Sequence, residues 1–227
     1  MDNQLRIITA VSVLIFLVMI PLGMVNGVYG FIPDMIFFIC LVLFYAWSYN
    51  TFRMTAPIFT LLVIGHILHA CGIFGWYHIS PVPIQWDHIT HFIGCMPFAM
   101  LFFNWLSQWA DAKWFTRKNL LLLIAVFFAT IGVGALVELI EFVGFLSLGF
   151  GEGGLMFGPG DSVAGLEGNT LMEAVGGGYI NTGWDLAFNT IGTLFGIVLM
   201  ILSKIVVKKK LQKAYYFEPI ESFSRKI

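Results

Sequence analysis

Residues 119–146 read NLLLLIAVFFATIGVGALVELIEFVGFL, a run whose only charged side chains are Glu138 and Glu141. A helix needs about 20 mainly apolar residues to cross the hydrocarbon core of a bilayer, and this run is longer than that. Ionisable side chains at membrane depth are costly, so they normally face the interior of a helix bundle and mark a functional site. The stretch therefore predicts a membrane-spanning helix that contributes two carboxylates to such a site.

The composition of the whole chain agrees with a membrane protein. Of its 227 residues, 59% are hydrophobic and 11% are charged, against roughly 25% charged in an ordinary soluble domain. The mean hydropathy is +0.87. This composition excludes a disordered chain, a secreted disulfide scaffold and a cytosolic enzyme. The three cysteines, Cys40, Cys71 and Cys95, lie in apolar runs without CxxC spacing and are expected to behave as small hydrophobic residues.

Six stretches are long and apolar enough to span a bilayer, so we predict an all-α polytopic membrane protein with six transmembrane helices. One transmembrane domain is expected over residues 1–206, followed by a basic tail at 207–227. The predicted spans are about 7–26, 31–49, 56–77, 88–107, 119–146 and 183–206.

The positions of the basic residues predict the orientation of the chain. All twelve lysines and arginines precede the first span, follow the second or fourth, or lie from Lys204 onward. Because six spans place both termini on one side, the positive-inside rule assigns both termini to the cytoplasm of a plasma or inner membrane. The long glycine-rich loop at 147–182 is then extracytoplasmic. It carries acidic residues, including Asp161, and no basic residue, and its length favours a functional segment such as a lid.

Alternating helix direction brings the polar residues of four spans into the outer half of the membrane. Residues three or four apart share a helix face, so these side chains can line one cavity. Span 3 contributes His66 and His69, of which His66 lies deeper and is interpreted as a packing residue. Small residues before Glu138 and after Asn189 favour close helix packing. Spans 4, 5 and 6 contribute the remaining polar residues of this predicted cavity, which are Asp87, His88, His91, Glu138, Glu141, Asp185 and Asn189.

Three kinds of site are compatible with these residues. His88, His91, Glu138 and Glu141 are candidate ligands for zinc, manganese or iron, since imidazoles and carboxylates bind these metals. Alternatively, Glu138, Glu141, His91 and Asp87 act as catalytic acid and base groups without a metal. The third alternative is a polar core that only fixes helix packing. The sequence contains no metal-binding motif such as HExxH that would decide between these three kinds of site.

Our leading hypothesis from sequence is an envelope protein that acts on a lipid or lipid-linked substrate in the outer leaflet. Asp87 and Asp185 would orient the histidines, while Asn189, Asp185 and Asp161 would bind the substrate. Membrane lipid is the expected partner, and no nucleic-acid partner is expected. A proton- or cation-coupled binding or transport protein, and a structural subunit without catalysis, remain as alternative hypotheses.

The polar residues also form an ordered pattern across residues 86–200. It runs Asp87-xxx-His91-Phe92, Glu138-xx-Glu141 and Asp185-xxx-Asn189-xx-Gly192-xxx-Gly196. This pattern resembles the VanZ-like superfamily and the YjdF-like uncharacterised inner-membrane proteins. The resemblance implies a small polytopic membrane protein in which the matching polar residues share the family's roles. VanZ-like proteins are associated with teicoplanin resistance and the cell envelope.

Two departures from the VanZ-like pattern favour a resemblance to the YjdF-like proteins. VanZ-like proteins usually have glutamine at the position of Glu141 and an arginine shortly before the aspartate that matches Asp185. This chain has a second carboxylate and a loop without basic residues instead. The YjdF-like pattern has a Gly-Asp pair before Trp-Asp, to which Gly160 and Asp161 would correspond across a long insertion.

Overall fold

The computed structural model describes residues 3–27, 31–72, 74, 76, 84–111, 116–148 and 177–206. Within these ranges the chain forms six α-helices and one short 3₁₀ turn, Ser107–Trp109, and it forms no strand, which confirms the predicted all-α class. The glycine-rich segment 149–176, with Asp161, and the tail 207–227 lie outside the described residues. The helices are α1 (Asn3–Val25), α2 (Ile32–Ser48), α3 (Ala56–Gly72), α4 (Trp86–Leu106), α5 (Arg117–Leu148) and α6 (Gly177–Val206).

Each predicted span coincides with one helix, although the boundaries differ. Helices α1, α4, α5 and α6 are long and apolar enough to cross a membrane, whereas α2 and α3 are apolar but have only 17 residues each. The structure therefore supports a helical membrane protein, while six crossings stay a prediction. The largest difference is at α6, which begins at Gly177 instead of residue 183 and so places Asn181 on the helix.

Helix α4 occupies the centre of the fold. It contacts α3, α5 and α6, and its contact with α6 is the most extensive of all helix pairs. Half of its apolar window is buried, the largest share among the four long helices. On its other side, α1, α2 and α3 pack around a hydrophobic core that includes Phe16, Phe38 and Phe59. The polar residues near the start of α4 consequently lie in the interior of the bundle.

Two glycines allow α4 and α6 to approach closely. A Cβ atom at Gly192 would collide with the backbone of Phe92, and a Cβ atom at Gly196 would collide with the carbonyl oxygen of Met96. Small residues four apart commonly create such close helix contacts in membranes. This contact fixes which side chains of α4 face those of α6.

We expect Gly192→Leu to destabilise the protein by at least about 1–3 kcal/mol, because the obstructing atoms belong to a backbone that cannot move aside. The measurement is the melting temperature of the purified protein in detergent. Gly132→Leu is the matched control, since Gly132 is exposed on α5 and its Cβ would meet nothing within 4 Å. Equal melting temperatures for the two variants would contradict the assignment of a tight α4–α6 contact.

Candidate functional site

A buried cluster of one imidazole and three carboxylates lies between α4, α5 and α6. It consists of His91, Glu138, Glu141 and Asp185, each of which offers one metal-ligating atom within 4.8 Å of the others. All four residues are buried, and Asp185 is completely inaccessible to solvent. We call these four residues the His91 cluster. The fold thus brings together side chains that sequence reasoning placed at the ends of three different spans.

The ring of His91 has hydrogen-bond acceptors beside both of its nitrogens. Nε2 lies 3.5 Å from Oδ1 of Asp87 and 3.7 Å from Oδ1 of Asp185. Nδ1 lies 3.2 Å from Oδ1 of Asn189 and 3.5 Å from Oε1 of Glu138. A neutral imidazole carries a hydrogen on only one nitrogen, so it cannot donate in both directions.

The contact with Asn189 indicates which nitrogen carries that hydrogen. Oδ1 of Asn189 also accepts a hydrogen bond from the Cys95 thiol at 3.1 Å. An amide oxygen can only accept, so Nδ1 of His91 is the donor to it. In the neutral ring, the lone pair on Nε2 would then face the carboxylates of Asp87 and Asp185. This arrangement is repulsive unless a proton or a metal cation lies at Nε2.

The cluster also has more negative than positive groups. Asp87, which touches His91, raises the number of carboxylates around the one imidazole to four. Helix α4 contains no lysine or arginine, and those of α5 and α6 lie at the helix ends remote from the cluster. Buried charge is costly unless it is balanced, so the site must take up protons or a cation.

Three side-chain atoms of the site, in Glu138 and Asn189, are buried without the hydrogen bonds that their burial calls for. Among the described residues, neither carboxylate oxygen of Glu138 accepts a hydrogen bond of normal geometry, and Nδ2 of Asn189 donates none. An unsatisfied buried polar group costs about 1–3 kcal/mol. Side chains held at such a cost are typical of a site that binds something.

Asn181 and Cys95 belong to this site and were missed by sequence reasoning. Nδ2 of Asn181 donates a hydrogen bond to Oδ2 of Asp87 at 3.2 Å. The spacing of four residues between Asn181, Asp185 and Asn189 places all three on one helix face. The predicted start of the sixth span at residue 183 leaves Asn181 outside the helix, so this pattern is incomplete. Cys95 follows His91 by four residues, so the same spacing places it on the face of α4 that carries His91.

Two predicted histidines, His88 and His66, lie outside the His91 cluster. The ring of His88 stacks on Phe188, with centroids 4.4 Å apart and 7° between the planes, so Asp185 rather than His88 accompanies the other three candidate ligands. His66 is hydrogen-bonded to the Tyr45 hydroxyl at 3.0 Å and stacks on Phe38, as expected for a packing residue.

An apolar cavity of about 320 Å³ adjoins the site. His91, Cys95 and Asn189 line one part of it, and most of the remaining lining consists of hydrophobic side chains from α2, α4 and α5. A mostly apolar cavity with a few convergent polar groups is the usual form of a small-molecule binding site.

Comparison with known proteins identifies the family. The model of the family DUF2238, described as a predicted membrane protein, matches residues 4–205. The chain therefore belongs to this family, and the likeness to VanZ-like and YjdF-like proteins stays a resemblance. No curated protein and no solved structure matches the chain.

We expect Glu138→Gln to raise the melting temperature of chelator-treated protein by a few degrees, or about 1–2 kcal/mol, because it removes one of several like charges at no change in volume. The control is Asp111→Asn, which removes an exposed carboxylate 3.7 Å from Lys118 and should change stability by less than about 0.5 kcal/mol. A fall in melting temperature for Glu138→Gln alone would instead indicate a polar core that fixes packing.

Proposed function

We propose that this member of the DUF2238 family binds a divalent manganese, iron or zinc ion through His91, Glu138, Glu141 and Asp185. We further propose that the ion serves chemistry on a lipid or lipid-linked substrate of the cell envelope. The observation that carries the metal site is the placement of carboxylates around Nε2 of His91, where a positive charge is needed.

The donor set supports a transition metal. Imidazole and carboxylate ligands together suit manganese, iron and zinc. With metal–ligand bonds of about 2.1 Å, ligand atoms on opposite sides of an ion lie about 4.2 Å apart. The four donor atoms lie within 4.8 Å of one another, so small side-chain movements toward a common centre would bring them to bonding distance. A doubly charged ion would also offset two of the carboxylates.

The neighbouring residues have separate roles in this proposal. Asn189 accepts a hydrogen bond from Nδ1 of His91, which leaves Nε2 free to bind the ion. Hydrogen bonds of this kind, from a ligand to a residue that does not touch the metal, orient the ligand. Asp87 touches His91 but is not one of the four ligands, and Asn181 holds its other oxygen. It is therefore placed to accept a proton from a nucleophilic water molecule.

The ion would supply Lewis acidity at an ester or phosphoryl oxygen and would activate that water molecule. The reaction class that fits this division of roles is hydrolysis or group transfer at an ester or phosphoester of a lipid. The adjoining apolar cavity supports a lipid substrate, because it could hold the hydrocarbon part while the reacting group lies at the His91 cluster.

We propose the six-span topology with both termini in the cytoplasm for this fold. The start of α4, the end of α5 and the start of α6 meet at the His91 cluster, so the cluster lies toward one end of the bundle. The distribution of basic residues assigns that end to the outer half of the membrane.

Protons can balance the same excess of carboxylates, which favours proton-coupled binding or transport as the second candidate function. This candidate predicts a proton flux across proteoliposomes, measured without added metal, that is lost in Glu141→Gln. The metal-site proposal predicts no such flux.

We expect protein purified without chelators, or reloaded with manganese, iron or zinc, to contain about one metal ion per chain, measured by elemental mass spectrometry. His91→Ala and Glu141→Gln should each weaken metal affinity by more than the roughly 10–100-fold lost when an outer hydrogen-bond partner is removed. Asp111→Asn should retain the ion, because it lies outside the site. Wild-type protein that binds none of the three metals would contradict the proposal.

The topology is tested by labelling single cysteines in intact cells, in a background with Cys40, Cys71 and Cys95 replaced by alanine. We expect a membrane-impermeant maleimide to label Ser162→Cys from outside. It should label Ser222→Cys only after the cells are lysed. The reverse pattern, or labelling of both from outside, would contradict the proposed orientation.

A further inference from the structure

The cavity beside the His91 cluster also reaches the outer surface of the bundle. Its lining includes Phe37 and Phe44 of α2 and Leu136 and Ile140 of α5, and all four side chains are exposed on the outside of the protein. Residues that line a cavity and are also exposed mark the place where it opens. The cavity therefore opens sideways between α2 and α5, and we call this place the α2–α5 opening.

The opening lies at a depth where hydrocarbon is expected. Leu136 and Ile140 belong to the part of α5 that is long and apolar enough to cross a membrane. A molecule that enters between them and α2 would come from the acyl-chain region of the bilayer and not from water.

The polar groups inside the cavity are distributed unevenly. On one side, His91 and Asn189 belong to the candidate site. On the side of α2 and α3, the Tyr45 hydroxyl and Nε2 of His66 are engaged in a hydrogen bond with each other, and the ring of His66 stacks on Phe38. Nδ2 of Asn189, by contrast, donates no hydrogen bond to any described residue, so the cavity has a polar group available to an amphiphilic ligand on the side of the His91 cluster.

We propose that the cavity admits one acyl chain of a membrane glycerolipid through the α2–α5 opening and places its ester group near His91. A volume of about 320 Å³ lies at the lower end of the range of roughly 300–1,000 Å³ found for ligand pockets. It suits part of one chain, so the second chain and the headgroup remain in the bilayer. The chemical step rests on the proposed function, whereas binding of the chain depends only on the cavity.

Gly94 provides a direct way to fill the cavity. It lines the cavity on α4, and a Cβ atom built there would meet nothing within 4 Å, so a side chain can start at this position without a clash and extend into the cavity. Gly132 on α5 has equally open surroundings but is exposed and does not line the cavity. Gly94→Leu and Gly132→Leu are therefore a matched pair.

The experiment uses full-length protein in nanodiscs that contain phosphatidylethanolamine with a diazirine in the middle of one acyl chain. After irradiation, labelled peptides are quantified by mass spectrometry. We expect labelling of cavity-lining residues that are buried from the surrounding lipid, among them Phe38, Tyr45 and Cys95, in addition to the labelling of lipid-facing surfaces. Labelling of these buried residues should fall roughly tenfold in Gly94→Leu, since blocking the space for one small apolar group typically weakens binding by about that factor. It should be unchanged in Gly132→Leu.

A second pair covers the case in which Gly94→Leu does not fold. Ile140→Trp places a bulky ring at the α2–α5 opening, while Leu139→Trp places the same ring on an exposed neighbour that does not line the cavity. We expect only Ile140→Trp to reduce labelling. Equal labelling of wild type and both cavity variants would overturn the proposal, as would cavity labelling by a diazirine polyprenyl phosphate with none by the glycerolipid.

Glu141→Gln separates this inference from the metal proposal. We expect it to lose the metal ion but to keep the wild-type pattern of lipid labelling, because Glu141 does not line the cavity. If wild type labels as expected but binds no metal, the cavity inference stands and the proposed chemistry fails. If metal binds but cavity labelling is absent, the acyl-chain inference fails alone.

Discussion

The constraint on which the structure depends is the need to balance four carboxylates against one imidazole inside a helix bundle. Asp87, Glu138, Glu141 and Asp185 surround His91 in a region from which water is largely excluded. In such an environment like charges repel strongly, and desolvation adds to the cost. A chain that keeps this arrangement gives up stability at the site and must recover it in the packing elsewhere.

The packing that recovers this stability also builds the site. Gly192 and Gly196 allow the backbones of α4 and α6 to come close, and the first turns of both helices then meet face to face. The same contact sets the distance from His91 to Asp185 and Asn189. Fold and site are therefore coupled: a change that separates α4 from α6 also separates the donor atoms.

The sequence predicts the helices and the meeting of their polar ends, because uninterrupted apolar runs have few alternatives in a membrane and successive spans alternate in direction. It does not predict which histidine joins the cluster. His88 and His91 lie three residues apart, and the rotation of α4 against α6, set by the contact of Gly192 with Phe92, turns one toward Phe188 and the other toward Asp185. The cavity depends on the gap between α2 and α5, which no local pattern encodes.

Because the cavity opens sideways, the ligand concentration that matters for this protein is the concentration in the membrane. A ligand that arrives from within the bilayer is confined to two dimensions, so its occupancy follows its mole fraction among the surrounding lipids. Diluting the aqueous phase leaves that fraction unaltered, whereas adding an inert amphiphile lowers it. Under this geometry the composition of the membrane, and not the solubility of the ligand in water, determines how often the cavity is filled.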